Sequence, residues 1–226
     1  MCGTYFLEEA DKLAQRFHVE DKDWESKLLQ PNFNVKPSQI MPVITEDEKG
    51  RHLEFMRWGI PRIIKKDAPE KELINTRAES AFKPFWSTYL KTRRILIPAN
   101  GYVEWKDLGK GVPKQPYLFR PKDEHLFAFA GIWGTWKDEN QKEWKVYSIM
   151  TTEPNKEAAT VHNRMPVILH QEDEAAWLEP SHNNDRGVIE TLLRPYEDNG
   201  IEMAETSRDV NNARNNYKEL IYPFTA

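Results

Sequence analysis

Apolar residues in this chain fall mostly into short runs of period two, which predicts strands at His52–Ile60, Arg93–Ala99 and Tyr102–Lys106, and then at 117–120, 126–135 and 144–151. The run Leu126-Phe127-Ala128-Phe129-Ala130-Gly131-Ile132-Trp133 is apolar throughout, as suits a central strand buried on both faces. Helical spacing governs Phe6 to Phe17, where Phe6, Ala10, Leu13, Ala14 and Phe17 share one face, so a helix is expected to anchor the N-terminus there. A second helix carries an aromatic stripe of Phe82, Phe85, Trp86 and Tyr89 with Leu90; such a stripe serves either a core or base stacking. Shorter helices are expected at 155–160, 172–179 and 185–194, and a last strand at 201–206.

Between these elements, residues 18–30 are polar without a clear period. Phe33 to Thr45 contains Pro37 and Pro42 and reads as extended chain with turns. Asn100-Gly101 marks a turn, and 107–116 is a Gly/Pro/Lys loop. The Asn-rich tail ending in Tyr222-Pro223-Phe224 is expected to pack on the surface. Many closely spaced strands without regular intervening helices argue for a single α+β domain with mostly antiparallel sheet, and against a doubly wound parallel fold.

Composition narrows the class. Of 226 residues, 39% are hydrophobic and 12% aromatic, enough for a sizeable core, and no internal repeat or linker interrupts the chain. There is no apolar run of about 18 residues to span a membrane. Glu8, Glu9 and Asp11 stand where a signal peptide would need basic and then apolar residues. The net charge of −4 excludes a generally basic coat for nucleic acid but leaves room for a local basic groove. One cysteine excludes an internal disulfide and a cysteine-based zinc finger, so a reducing, cytoplasmic location is expected, with no metal or cofactor.

That single cysteine is Cys2. Once Met1 is removed, Cys2 carries an α-amine and a thiol on adjacent carbons, with ordinary pKa values of about 8 and about 8.5. Such a pair captures an aldehyde twice: the amine forms a Schiff base, and the thiol closes a five-membered thiazolidine, helped by the high effective molarity of an intramolecular step. Glu104 lies between Val103 and Trp105 on a predicted strand and fits either a desolvated carboxyl or a solvent-facing one. His162 precedes a Pro-led strand and fits a structural or a catalytic role. Arg62, Lys65 and Lys66 form a charge run that suits a solvated face or phosphate contact.

Six stretches, taken together and in order, carry a resemblance. They are Met1-Cys2-Gly3, Trp58-Gly59-Ile60-Pro61, Asn75-Thr76-Arg77-Ala78-Glu79, Arg93-Arg94 through Ile97 to Trp105, Phe127 to Trp136, and His162-Asn163-Arg164-Met165-Pro166 leading into Val167-Ile168-Leu169. From residue 2 to about residue 180 the chain resembles the SRAP family, the SOS response-associated peptidases or abasic-site-processing proteins. The resemblance implies one SRAP-like domain over 2–226, with an open barrel-like core and flanking helices. It implies binding to single-stranded DNA that carries an abasic site, and a thiazolidine cross-link between Cys2 and the ring-opened deoxyribose. It further implies an autopeptidase activity that removes Met1.

On that resemblance Cys2 is the nucleophile and Asn75 holds the sugar and the N-terminus. Glu104 is the acid/base of ring opening and imine formation, and His162 assists proton transfer and reversal. Arg77, Trp58, Lys65, Lys66, Arg94 and Arg164 are the expected DNA contacts. Family members usually continue the Trp-Gly motif to a second Trp, whereas Arg62 follows Pro61 here; Thr76, Asn100 and Tyr102-Val103 also depart from the usual Ala, Asp and Phe-Tyr. Two other readings of the residues stay open: an N-terminal-nucleophile amidohydrolase, which needs an oxyanion hole, and a non-covalent single-strand binder, which has no use for Cys2.

Overall fold

Strands of the expected kind close into a ring. The computed structural model describes residues 2–20, 30–62 and 71–224. In chain order its elements are β1 (Tyr5–Leu7), α1 (Leu13–Arg16), β2 (Asn32–Val35), β3 (Ile40–Asp47), β4 (Gly50–Trp58), β5 (Ile60–Arg62), β6 (Lys71–Leu73), β7 (Asn75–Arg77), α2 (Pro84–Thr92), β8 (Arg94–Ala99), β9 (Gly101–Lys106) and β10 (Gln115–Pro121). They continue as β11 (Phe127–Lys137), β12 (Glu143–Thr152), α3 (Lys156–Ala159), β13 (Met165–Pro166), β14 (Ile168–Leu169), α4 (Asp173–Leu178), α5 (Arg186–Leu192) and β15 (Ile201–Glu205).

In the larger sheet β12, β4, β3, β8 and β11 are successive neighbours, and β11 pairs back onto β12, so this α+β domain has a closed barrel at its centre. The barrel is antiparallel except that β4, and outside the ring β7, run parallel to β12. Phe127, Ala128, Phe129 and Ala130 of β11 are fully buried, as expected for a central strand. The second sheet has the order β15-β10-β9-β1-β2. The predicted strand His52–Ile60 divides at Gly59, whose φ of +117° suits glycine. Among the described residues no helix is long and apolar enough to cross a membrane.

The N-terminal helix expected over Phe6–Phe17 is corrected. Tyr5–Leu7 form β1, paired with β9 on one side and β2 on the other. Tyr5 and Leu7 enter the main core, while Phe6 enters a second core on the opposite face. Ladder hydrogen bonds and burial on both faces outweigh the local helical period. That period survives only from Ala10 to Arg16, as one 3-10 turn and α1, where Ala10, Leu13 and Ala14 are buried. Close approach makes Gly101 necessary, because a Cβ there would lie 2.2 Å from the Phe6 ring.

The tail is corrected too. Leu220, Ile221 and Phe224 do not sit on the surface but build the second core with Phe6, Val103, Leu118 and Val210. This core braces β1 and β9 from the side away from the barrel.

Candidate active site at the N-terminus

Pairing geometry delivers Cys2 to Glu104. β1 runs antiparallel to β9 with Tyr5 opposite Tyr102, and the ladder continues as Val103 N–H donates to the Thr4 carbonyl at 2.9 Å. Residues before Tyr5 therefore run beside residues after Tyr102, which sets Cys2 near the Glu104 side chain. Asn75, at the start of β7 opposite Ile149 of β12, donates from Nδ2 to the Cys2 carbonyl at 2.7 Å. Farther along, Asn100 Oδ1 accepts from the Glu8 and Glu9 amides at 2.8 and 3.1 Å, and its own amide donates to the Phe6 carbonyl. The predicted turn residue thus also clamps the N-terminal segment in place.

Alternation along β9 settles the ambiguity at Glu104. Val103 faces the second core, whereas Tyr102 and Glu104 share the barrel-facing side. Glu104 is 3% exposed, and burial raises its pKa from 4.5 to about 7. Cys2 is 1% exposed, and burial, followed by the Glu104 charge, pushes its thiol well above the ordinary range. The thiol donates to the Thr4 carbonyl, with sulfur 3.6 Å from the oxygen.

Tyr5 and Tyr147 hydroxyls bond to each other at 2.8 Å beneath the site. The Tyr102 hydroxyl and Asn75 Oδ1 are buried with no hydrogen-bond partner among the described residues, so both can receive a polar ligand. His162 Nδ1 lies 3.1 Å from the Arg164 amide nitrogen and 3.3 Å from its carbonyl oxygen, so Arg164 fixes the orientation of the ring. Burial lowers the His162 pKa and favours neutral imidazole. The Lys114 charge acts on both Glu104 and His162.

These residues now have a family context. Residues 1–213 match the family described as SOS response associated peptidase (SRAP). The chain belongs to this family. It is 36% identical to the abasic site processing protein YoqW of Bacillus subtilis, over 98% of this chain and 99% of that one. It is 35% identical to the abasic site processing protein YobE of the same organism, over 93% and 96%. A crystal structure of a Bacteroides thetaiotaomicron protein superposes with a TM-score of 0.78 at 26% identity, covering 92% of this chain and 93% of that one.

Of the DNA contacts expected for this SRAP protein, Arg77 is exposed at the end of β7, on the same face as Asn75. Lys65 and Lys66 lie outside the described residues. Three expected contacts have partners within the fold. Trp58 is fully buried, donates from Nε1 to the Ile74 carbonyl at 2.9 Å and stacks on Tyr147, so its ring belongs to the core. Arg164 forks onto the Glu79 carboxylate at 2.5 and 3.1 Å and donates to the Thr151 carbonyl, so it fixes the loop bearing His162. Arg94 is 7% exposed and donates to the carbonyls of Leu90, Lys91, Trp177 and Glu179, so it ties α2 to α4.

Arg94→Met is expected to cost about 3–5 kcal/mol in urea unfolding, since four carbonyls lose a charged donor. DNA affinity of the folded variant should not change. Weakened binding at unchanged stability would return Arg94 to the DNA surface.

Residue-by-residue reading assigned nothing to Lys36 in the extended segment after β2. Its ammonium donates to Thr4 Oγ1 at 2.5 Å and sits 5.4 Å from the centre of the Trp105 ring. The available signal was a lysine between Val35 and Pro37, in a stretch whose Asn34 and Val35 are buried.

Proposed function

We propose that this SRAP protein binds single-stranded DNA at abasic sites and traps the ring-opened deoxyribose on Cys2 as a thiazolidine. The observation that carries this reading is the Cys2 carbonyl held by Asn75, with the thiol beside a buried carboxyl of pKa about 7. Relatives that align over nearly the whole chain are abasic site processing proteins, which supports the same substrate. Single-stranded DNA spares the unpairing energy, and a missing base leaves room at the sugar.

An abasic deoxyribose rests mainly as a hemiacetal. Opening it moves a proton from the C1 hydroxyl to the ring oxygen, a transfer suited to a carboxyl that is half protonated near neutral pH. The α-amine then adds to the aldehyde carbon, and acid-assisted loss of water gives an iminium ion. The thiol is held protonated by burial, so the amine acts first. Sulfur then attacks the iminium carbon, and the S–H proton passes to Glu104 or to neutral His162. Asn75 Oδ1 and the Tyr102 hydroxyl orient the sugar. Arg77 takes a phosphate.

The trap exists only after Met1 is lost, because an acylated Cys2 nitrogen cannot form an imine. Whether the chain cleaves Met1 itself is part of the same test. Processed protein mixed with a single-stranded oligonucleotide bearing one abasic site is expected to give a heat-stable adduct on a denaturing gel. Protein with an uncleavable extension before Cys2 is expected to bind the DNA and form none. No adduct from processed protein would sink the proposal. Cross-linking by a form shown by mass spectrometry to keep its extension would remove the amine from the mechanism.

A further inference from the structure

Lys36 is a cation built into the Cys2 site, with no carboxylate ion-paired to it among the described residues. β2 carries Lys36 to the edge of β1, where its ammonium donates to Thr4 Oγ1 at 2.5 Å and lies over the Trp105 ring of β9. Thr4 Oγ1 passes the bond on by donating to the Gly3 carbonyl at 2.8 Å, so the lysine is wired to the residue that follows Cys2. An ammonium has three donors. One is used here, and among the described residues no carboxylate forms an ion pair with Lys36.

Half-burial is costly for an ammonium, and it depresses the Lys36 pKa to about 8. The two carboxylate-paired or carbonyl-bound arginines above show how this chain satisfies cations that serve the fold. Lys36 is held differently, with two donors left over beside the reactive residue.

We propose that Lys36 is a phosphate anchor: its two remaining donors take the phosphate next to the abasic sugar and so set the sugar against Cys2. This rests on the abasic-DNA reading above and adds a contact that its motifs do not supply. Lys36 and the exposed Arg77 would together hold the strand at the site. The arriving phosphate supplies a countercharge and keeps the ammonium protonated. The Thr4 bond and the Trp105 ring keep the side chain in place before DNA arrives, which lowers the ordering cost of binding.

Binding is measured by fluorescence anisotropy across a salt series, with a single-stranded oligonucleotide carrying a tetrahydrofuran abasic analogue that has no aldehyde. Lys36→Met is expected to weaken binding about five- to tenfold at low salt and to reduce the slope of log K against log salt by about 0.7, one phosphate contact on a single strand. Lys36→Arg should keep both affinity and slope, since a guanidinium serves a phosphate at least as well. Lys36→Gln is the second variant should Met disturb folding, with circular dichroism confirming the fold of each.

A wild-type slope in folded Lys36→Met or Lys36→Gln overturns the proposal. A slower cross-link at unchanged slope also overturns it, because the lysine would then serve proton transfer. Because the analogue cannot cross-link, the slope is independent of the covalent reading. Absence of an adduct with a true abasic site would sink the trap and leave the phosphate contact to be judged by the slope alone.

Discussion

Glu104→Gln slows formation of the heat-stable adduct by about 10²–10⁴-fold, the usual worth of a positioned general acid or base, and makes the folded protein more stable at alkaline pH. The amide is nearly isosteric with the carboxyl but neither gives nor takes the protons that ring opening and water loss require. Because the side chain is buried, and its charge acts on Cys2, binding of the tetrahydrofuran analogue should change little.

The stability effect follows from the raised pKa. The folded chain holds the Glu104 proton to about pH 7, whereas the ordinary value is 4.5. Wild type therefore bears the cost of a buried charge in full above pH 7, roughly 3 kcal/mol at about 1.4 kcal/mol per pKa unit, and sheds it as pH falls from 7 to 4.5. Glutamine carries no charge, so the variant's advantage should be present at pH 8 and gone at pH 4.5. Urea unfolding of both proteins at the two pH values checks this. A variant whose rate and DNA affinity fall in step, or whose stability difference does not grow with pH, would make Glu104 a structural residue.

Cys2→Ala removes the heat-stable adduct altogether but leaves an adduct that borohydride can trap. The variant keeps the α-amine, so imine formation remains open after Met1 is removed. What it loses is the second nucleophile, tethered one carbon away, whose ring closure stores the aldehyde carbon in a form that resists heating. An imine without that closure hydrolyses on the denaturing gel. Reduction with borohydride during the reaction converts it to a stable amine and restores the shifted band. Loss of both adducts would mean that the thiol acts before the amine, contrary to the order its raised pKa implies. Persistence of the heat-stable adduct would mean that another group carries the link.

Much of the site was legible as residue types in order. Cys2 stood out as the sole cysteine, and Asn75, Glu104 and His162 fell in matching motifs. Asn75 does hold Cys2, and Glu104 does neighbour it. Three of the expected DNA contacts have partners within the fold for one shared reason. Arg94, Arg164 and Trp58 are groups that suit DNA, and they equally suit buried carbonyls, a surface carboxylate and a packed core. Composition cannot separate these uses, because the partners lie away along the chain: Arg94 meets Glu179, Arg164 meets Glu79, and Trp58 meets Ile74. Lys36 was overlooked for the converse reason, since its value comes from Thr4 and Trp105 on two other strands.

The amino-acid sequence by itself determined strands β4, β8, β9, β10, β11, β12 and β15, that the central one would be buried on both faces, and that an amine and a thiol would share Cys2 once Met1 is gone. Those outcomes depend on period and on covalent chemistry, which are local. Tertiary structure alone decided that residues 5–7 join a sheet instead of a helix, that the barrel closes, and that Glu104 and Lys36 are both desolvated. Pairing, desolvation and charge proximity depend on what the fold brings alongside, and the reactivity of this N-terminus is set by those neighbours.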